Sequence, residues 1–166
     1  LAIQWLMDAG LVHKVCQVSK PEAPLAFYEE SDAFKLFLLD CGLLGAMNMT
    51  DATEAMLTDN IFEEYNGALT EQLVLQELKC VPNLPVYYYT KPNSQQEIDF
   101  LIDIKNCAIP IEAKAGENLQ AKSLKQFIQE NKSEKAIKTS LKQYKGNEII
   151  DNVPLYALYC YLQEPH

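Results

Sequence analysis

One stretch of this 166-residue chain decides its fold, and it reads Glu97-Ile-Asp-Phe-Leu-Ile-Asp-Ile-Lys-Asn-Cys-Ala-Ile-Pro-Ile-Glu-Ala-Lys114. Two runs with alternating apolar residues, 97–104 and 107–114, are separated by Lys105-Asn106. This pattern predicts two β-strands joined by a two-residue hairpin turn. With that turn, paired positions have numbers that add to 211, so we expect Asp99 opposite Glu112 and Glu97 opposite Lys114.

The alternation also predicts which side chains share a face of the sheet, because successive side chains in a strand point to opposite faces. One face is expected to carry Ile98, Phe100, Ile102 and Ile104 from the first strand with Ile109, Ile111 and Ala113 from the second. The opposite face is then expected to carry Glu97, Asp99, Leu101, Asp103, Pro110, Glu112 and Lys114.

Two carboxylates on directly opposed positions repel each other, because their Cβ atoms are only about 5 Å apart. A divalent cation between them removes the repulsion, and Mg²⁺ prefers few carboxylates together with water and phosphate oxygens. Lys114, on the same face, could orient a water or stabilise developing charge during phosphodiester cleavage. Asp99 and Glu112 are therefore candidate metal ligands, with Lys114 as a candidate catalytic residue.

Glu71 is a third candidate acid, in a helix predicted over 66–79 with leucines on more than one side. A carboxylate on an apolar helix face is costly unless it is paired or metal-bound. Two ordinary explanations stay open: Glu71 could reach water or pair with Lys114, and the hairpin could hold only a Glu97–Lys114 ion pair with Asp99 solvated. The second explanation leaves Glu112 against Asp99 unaccounted for.

Outward from the hairpin, helix-like and strand-like segments alternate, which predicts an α/β protein with a mixed central sheet flanked by helices. We expect helices over 1–9 and 123–131 and strands over 11–18, 34–40, 86–90, 136–141 and 153–161. A polar connection with a short helix at 50–66 suggests a boundary between residues 1–50 and residues 51–166. Helix, strand and strand in the first part match the end of a winged-helix unit.

Net charge argues against a nucleic-acid binder, because 14 lysines and no arginine face 23 acidic residues, for a net charge of −9. The acidity lies in residues 1–90, with 13 acids and 4 lysines, whereas residues 114–145 carry eight lysines and three glutamates. Lys122 and Lys125, on the helix after the hairpin, are candidate phosphate contacts. A solvated helix face explains them equally well.

Five widely spaced cysteines without a CxxC pair predict buried, reduced thiols in a cytoplasmic protein. No apolar run is long enough to cross a bilayer, so no membrane partner is expected. The start, Leu1-Ala-Ile-Gln-Trp5, has neither a methionine nor a basic segment, so we expect no signal peptide and a longer parent chain.

The order of helix glutamate, tyrosine-rich strand, Glu97-Ile-Asp-Phe100 and Ile111-Glu-Ala-Lys114 resembles the PD-(D/E)xK restriction-endonuclease-like fold. With Phe34-Lys-Leu36, Asp40-Cys-Gly-Leu43 and Val153-Pro-Leu-Tyr156, it resembles more narrowly the C-terminal domain of unknown function in prokaryotic AAA-type ATPases. Glu97-x-Asp99 lacks the proline of the nominal motif, and the missing arginines exclude bidentate phosphate contacts.

The resemblance implies that Asp99, Glu112 and the main-chain carbonyl of Ala113 bind Mg²⁺ or Mn²⁺, that Lys114 is the catalytic lysine, and that Glu71 is the first-helix acid. It implies a restriction-endonuclease-like domain over 51–166, behind a partial winged helix at 1–50. ATP would bind only an upstream module, since no GxxxxGK[ST] motif occurs here.

Three functions follow for comparison. The first is metal-dependent cleavage of nucleic acid as the effector domain of the ATPase. The second is a catalytically inactive module that recognises DNA or a protein for the same ATPase. The third is a purely structural assembly domain, and for all three oligomerisation is left open.

Overall fold

Seven strands form one mixed sheet in the computed structural model, which describes residues 2–47, 62–92, 96–114 and 121–163. The strands are β1 Val12–Val18, β2 Glu29–Leu38, β3 Val86–Thr90, β4 Glu97–Ile104, β5 Cys107–Ala113, β6 Ala136–Ser140 and β7 Ile150–Pro154. Their order is β2-β1-β3-β4-β5-β6-β7. Strands β1 and β3, β5 and β6, and β6 and β7 pair in parallel, and the other neighbours are antiparallel. The predicted mixed α/β class is confirmed.

Five α-helices accompany the sheet within the described residues. They are α1 Ala2–Asp8, α2 Cys41–Met47, α3 Phe62–Lys79, α4 Lys122–Asn131 and α5 Leu158–Gln163. None of these helices is long and apolar enough to cross a membrane. The predicted connection at 50–66 lies largely outside the described residues, and α3 is described from residue 62 onward.

Two apolar layers cover the two faces of the sheet. Helix α3 buries Val74, Leu75 and Leu78 against one face, together with Leu158 of α5. Helix α4 buries Leu124, Phe127 and Ile128 against the other face. Each fully buried side chain of this size contributes about 1.5–3 kcal/mol. The sheet is therefore a rigid platform for residues at the ends of β4 and β5.

The free edge of β2 is held by a buried glutamine of α3. The Gln72 side-chain Oε1 accepts the Leu38 N–H at 3.0 Å, and its Nε2 donates to the Leu38 carbonyl at 2.8 Å. Gln72 is almost completely buried, so this amide satisfies polar backbone groups that would otherwise be costly. The contact fixes α3 against β2. Strands β1 and β2 thus extend the common sheet, while the division of the chain at residue 50 stays a prediction.

The hairpin between β4 and β5 has the predicted turn and register. Lys105 and Asn106 both have positive φ, 52° and 64°, as a two-residue type I′ turn requires. The pairs run from Ile104–Cys107 to Phe100–Ile111, and all of them add to 211. The ladder ends there, however, and does not extend to the predicted pairs of Asp99 with Glu112 and of Glu97 with Lys114.

A β-bulge explains why the ladder and the alternation change at Asp99. Strand β3 pairs Tyr87 with Leu101 but Tyr89 with Ile98, so Tyr88 alone lies opposite the two residues Asp99 and Phe100. Ile98 consequently packs in the layer under α4 with Leu101, whereas Phe100 packs in the layer under α3. The prediction that Ile98 and Phe100 share a face was wrong for this reason.

Two further sequence expectations were wrong. The segment 153–161, predicted as a strand, is the end of β7 followed by a 3₁₀ turn at Leu155–Ala157 and helix α5. Pro154 cannot continue a ladder, and the buried Leu155 and Leu158 have helical spacing. All five cysteines are free thiols, as predicted, but none is fully buried: Cys16 and Cys41 are half-buried, and Cys80, Cys107 and Cys160 are exposed.

Candidate active site

Asp99 lies at the bulge of β4, where the strand departs from regular pairing with β3. Its Oδ2 accepts the backbone N–H of Ala113 at 2.8 Å, which ties the carboxyl group to the end of β5. The predicted neighbours Asp99 and Ala113 are therefore in contact. The contact joins the Asp99 side chain to the N–H of Ala113, and the Ala113 carbonyl stays a predicted metal ligand.

Glu112 is a buried carboxylate with one unsatisfied oxygen. Its side chain is 5% exposed, and Oε1 lies 2.6 Å from Lys114 Nζ. Oε2 has no hydrogen-bond partner among the described residues. Leaving a buried charged acceptor unpaired costs about 1–3 kcal/mol or more. The structure thus brings Lys114 to Glu112 and leaves the second carboxylate oxygen available for another partner.

Lys35 also belongs to the site, although the sequence did not predict it. We call the acids Glu71, Glu97, Asp99 and Glu112, with Lys35 and Lys114, the cluster. Lys35 projects from β2 and forms an ion pair with Glu97 Oε1, and its Nζ lies 3.6 Å from Glu71 Oε2. The same Nζ lies 5.2 Å from the centroid of the Tyr88 ring. Glu71 therefore pairs with Lys35 and not with Lys114, the partner left open from the sequence. One signal was available: Lys35 is two residues before the buried Phe37, so it shares the inward face of β2.

Burial and ion pairing act in opposite directions on Lys35. Burial disfavours its charged form, but the hydrogen bond to Glu97 and the charges of Glu71, Glu97 and Asp99 outweigh burial and raise the pKa of Lys35 above its usual value. Lys35 is therefore a permanent positive charge beside the acids. This charge compensates two of them, Glu71 and Glu97, by direct contact.

Asp99 has the largest electrostatic perturbation in the cluster. Burial, with the nearby Glu71 and Glu112 carboxylates, raises the pKa of Asp99 to about 7, although the Ala113 N–H and Lys35 oppose the rise. Such shifts are common at sites that bind cations or exchange protons. Burial and the neighbouring carboxylates therefore disfavour the charged form of Asp99.

The donor set can be tested for its fit to Mg²⁺. In the described part of the chain, no group of three or more His, Cys, Asp or Glu side chains is arranged to hold a metal ion. A complete protein cage is not what Mg²⁺ requires, since it keeps several waters and uses one or two carboxylates with substrate phosphates. Asp99, with its perturbed carboxyl, and Glu112, with its unsatisfied Oε2, supply two such hard oxygen donors. The chemistry of these two donor groups therefore suits Mg²⁺.

The two predicted phosphate-contacting lysines differ in their placement. Both Lys122 and Lys125 are exposed in the first turn of α4. Lys125 lines a groove of about 820 Å³ together with residues of β6 and of the β6–β7 connection, and Lys122 does not line it. One further lysine of that groove, Lys138, is the register partner of Glu112 on β6.

Comparisons with known proteins identify one family. The model of a domain of unknown function, DUF4143, matches residues 66–158. This range contains every candidate site residue predicted from the sequence. No curated protein matches the chain, and no solved structure matches it.

Proposed function

The chain belongs to the DUF4143 family, whose function is unknown, and we propose that its domain is a Mg²⁺-dependent phosphodiesterase acting on nucleic acid. The observation that carries the proposal is the buried Oε2 of Glu112, which has no partner among the described residues and lies on a carboxylate already paired with Lys114. A buried, half-satisfied carboxylate next to a lysine is costly in a purely structural hairpin.

The side chains divide the chemistry among them. Asp99, Glu112 and the carbonyl of Ala113 would hold the ion, which when bound polarises a phosphodiester and lowers the pKa of coordinated water. Lys114 would orient that water and stabilise charge on the phosphate, since its ammonium is already fixed at Glu112. Glu71 and Lys35 would set the local charge, because their ion pair lies beside Asp99.

The proposed cellular context is an ATPase. Its P-loop module would precede this domain in the parent chain, bind ATP, and deliver nucleic acid to the site. Residues 1–50 would be the end of a winged helix joining the two parts. Mn²⁺ would substitute for Mg²⁺, since both ions accept the same oxygen donors.

Metal titration tests the proposal most directly. Isothermal titration calorimetry with Mg²⁺ and Mn²⁺ should give a binding isotherm for the wild type and a loss of affinity of at least tenfold for Glu112→Gln. Glu134→Gln, the same change at an exposed position, is the matched control and should bind like the wild type. Plasmid or branched DNA should be cleaved with metal, and Asp99→Ala or Lys114→Ala should abolish cleavage. Equal affinity for Glu112→Gln and the wild type would refute the metal site.

A second function, a catalytically inactive recognition or assembly module, is favoured by one observation. Lys35 pairs directly with Glu71 and Glu97, and Lys114 pairs directly with Glu112. Under this alternative the lysines replace the metal, and the cluster only stabilises the fold. DNA binding without cleavage over a broad range of metal and enzyme concentrations would favour it.

A further inference from the structure

A groove that the proposed chemistry does not use begins beside Glu112. It has a volume of about 820 Å³, and its lining includes the lysines Lys125, Lys138, Lys142 and Lys145. Lys138 connects it to the candidate active site, since Glu112 and Lys138 are paired on neighbouring parallel strands. We call this feature the lysine groove. It lies between α4, β6, the β6–β7 connection and β7.

The lysine groove carries an excess of positive charge in its described lining. None of its four lysines forms an ion pair with a described residue, whereas Lys35, Lys91, Lys114 and Lys135 each have a carboxylate within 4.0 Å. Its described lining contains no aspartate or glutamate. Like charges held together in this way repel one another, so the groove favours a ligand that carries several negative charges.

The repulsion among these lysines contributes to a lowered pKa of Lys138. Burial lowers the pKa of Lys138; Glu112 opposes this effect, and the ammonium groups of Lys125 and Lys142 add to it. Lys125 comes from α4 and Lys142 from the β6–β7 connection. The two walls of the groove therefore lie close enough for their charges to act on the same central lysine.

The wall formed by the β6–β7 connection is preorganised. Lys145 and Asn152 exchange two backbone hydrogen bonds of 3.0 and 2.9 Å, and the Asn152 side chain donates to the Gln143 carbonyl at 3.0 Å. The Ser140 hydroxyl donates to Asn152 Oδ1 at 2.8 Å. These bonds hold a lysine-bearing turn in place before any ligand arrives, which lowers the entropic cost of binding.

Two uncharged side chains of the groove favour single-stranded over double-stranded nucleic acid as its ligand. Leu141 is 74% exposed and Tyr144 is 57% exposed, although both have large apolar surfaces. Unpaired bases can stack on such surfaces, whereas the bases of a duplex are already stacked on one another. Lysines act as point charges on phosphates and read no base sequence.

We propose that the lysine groove binds the sugar–phosphate backbone of single-stranded nucleic acid, with a base on Tyr144, and leads the strand to Glu112. The claim about the strand's destination rests on the proposed function, whereas the binding claim does not. The substrate would accordingly be a single-stranded tail or a junction with an unpaired strand, held without sequence preference.

Binding is tested on the full chain in EDTA, so that no cleavage can occur. Fluorescence anisotropy with a labelled short oligodeoxythymidine should give measurable affinity that falls with salt. About four phosphate contacts predict a slope of log K against log salt near −3 for a single strand. The double variant Lys138→Gln with Lys142→Gln should lose at least tenfold in affinity, and its slope should be shallower by about 1.4. The control, Lys20→Gln with Lys91→Gln, removes the same charge elsewhere and should bind like the wild type.

Tyr144→Ala tests the choice of single strand over duplex. It should weaken oligodeoxythymidine binding by about fivefold or more while leaving duplex binding unchanged, because stacking on a side chain requires an unpaired base. Circular dichroism establishes that each variant is folded. Equal losses for the groove and control variants would overturn the groove assignment, and duplex binding as tight as single-strand binding would overturn the choice of strand.

The same variants separate this inference from the proposed function. A wild-type chain that binds single strands through the groove but never cleaves them with Mg²⁺ or Mn²⁺ refutes the phosphodiesterase and supports the groove. Cleavage that persists undiminished in the Lys138→Gln, Lys142→Gln variant refutes the claim that the groove leads the strand to Glu112 and supports the phosphodiesterase.

Discussion

Replacing Asp99 by asparagine should make the metal-free protein more stable at neutral and alkaline pH. The change keeps an oxygen that can accept the Ala113 N–H, which now bonds to Asp99 Oδ2 at 2.8 Å. It removes a charge that burial and the Glu71 and Glu112 carboxylates disfavour. A candidate catalytic residue is thus expected to lower the stability of its own protein, as electrostatically strained sites commonly do.

The magnitude follows from the raised pKa of Asp99, which is about 7 in the folded chain against 3.8 for a free aspartate. The folded chain binds the proton more tightly than the unfolded chain, so stability falls as pH rises from about 4 to about 7 and is constant above that range. At about 1.4 kcal/mol for each pKa unit, the full difference is roughly 4 kcal/mol. Between about pH 5 and pH 8, Asp99→Asn should gain about 2.5 kcal/mol relative to the wild type.

Urea unfolding in EDTA, followed by far-ultraviolet circular dichroism, measures this gain. The one tryptophan, Trp5, is 72% exposed in α1, so its fluorescence would report poorly on the core. Asp32→Asn is the control, because it makes the same change at an exposed position of β2. A difference between Asp99→Asn and the wild type that stays constant from pH 5 to pH 8 would refute the electrostatic reasoning.

The remaining predictions concern the supports of the site. Lys35→Met should lower the free energy of unfolding by about 2 kcal/mol in EDTA, because Glu71 and Glu97 lose their shared cation. In thermal melts, Mg²⁺ should restore more stability to this variant than it adds to the wild type. A melting temperature in EDTA equal to that of the wild type would contradict the prediction. Gln72→Ala should lower the free energy of unfolding in urea by about 2 kcal/mol, since the Leu38 N–H and carbonyl lose their buried partner. The control Gln126→Ala, on the exposed face of α4, should lower it by a few tenths of a kcal/mol at most. Asn106→Val should lower the free energy of unfolding by about 1–2 kcal/mol, because φ is 64° at this position and a β-branched residue disfavours positive φ. Asn106→Gly should keep the stability of the wild type, since glycine adopts positive φ readily. Equal stability of the two variants would show that the turn can rearrange.

Local features of this fold were predictable from the sequence. The turn at Lys105-Asn106 and the register from Phe100 to Ile104 depend only on neighbouring residues and on alternation. Strand β3 was predicted over the same residues that the structure shows, since Val86-Tyr-Tyr-Tyr-Thr90 has strong β-propensity and is preceded by Pro85. Such segments are decided within a few residues, so one sequence suffices.

Features that depend on distant parts of the chain were not predictable. The bulge at Asp99 arises from pairing with β3, which alternation within β4 cannot reveal. Lys35 reaches Glu71 and Glu97 from 36 and 62 residues away, a contact that no local pattern encodes. The end of β7 was missed because alternating tyrosines and leucines after Pro154 fit a strand and a short helix alike.

Because of the bulge, the two edges of β4 control different features of the site. On the β5 side, the tight turn fixes the register, and every pair from Ile104 to Phe100 follows from it. On the β3 side, the extra residue opposite Tyr88 determines where Asp99 lies relative to α3 and Lys35. Substitutions in β3 can therefore reposition this acid, and so change its proton affinity, without shifting Glu112 in β5 or Lys114 directly after it. An evolving or engineered domain of this kind can adjust one carboxylate of the pair while the other stays fixed.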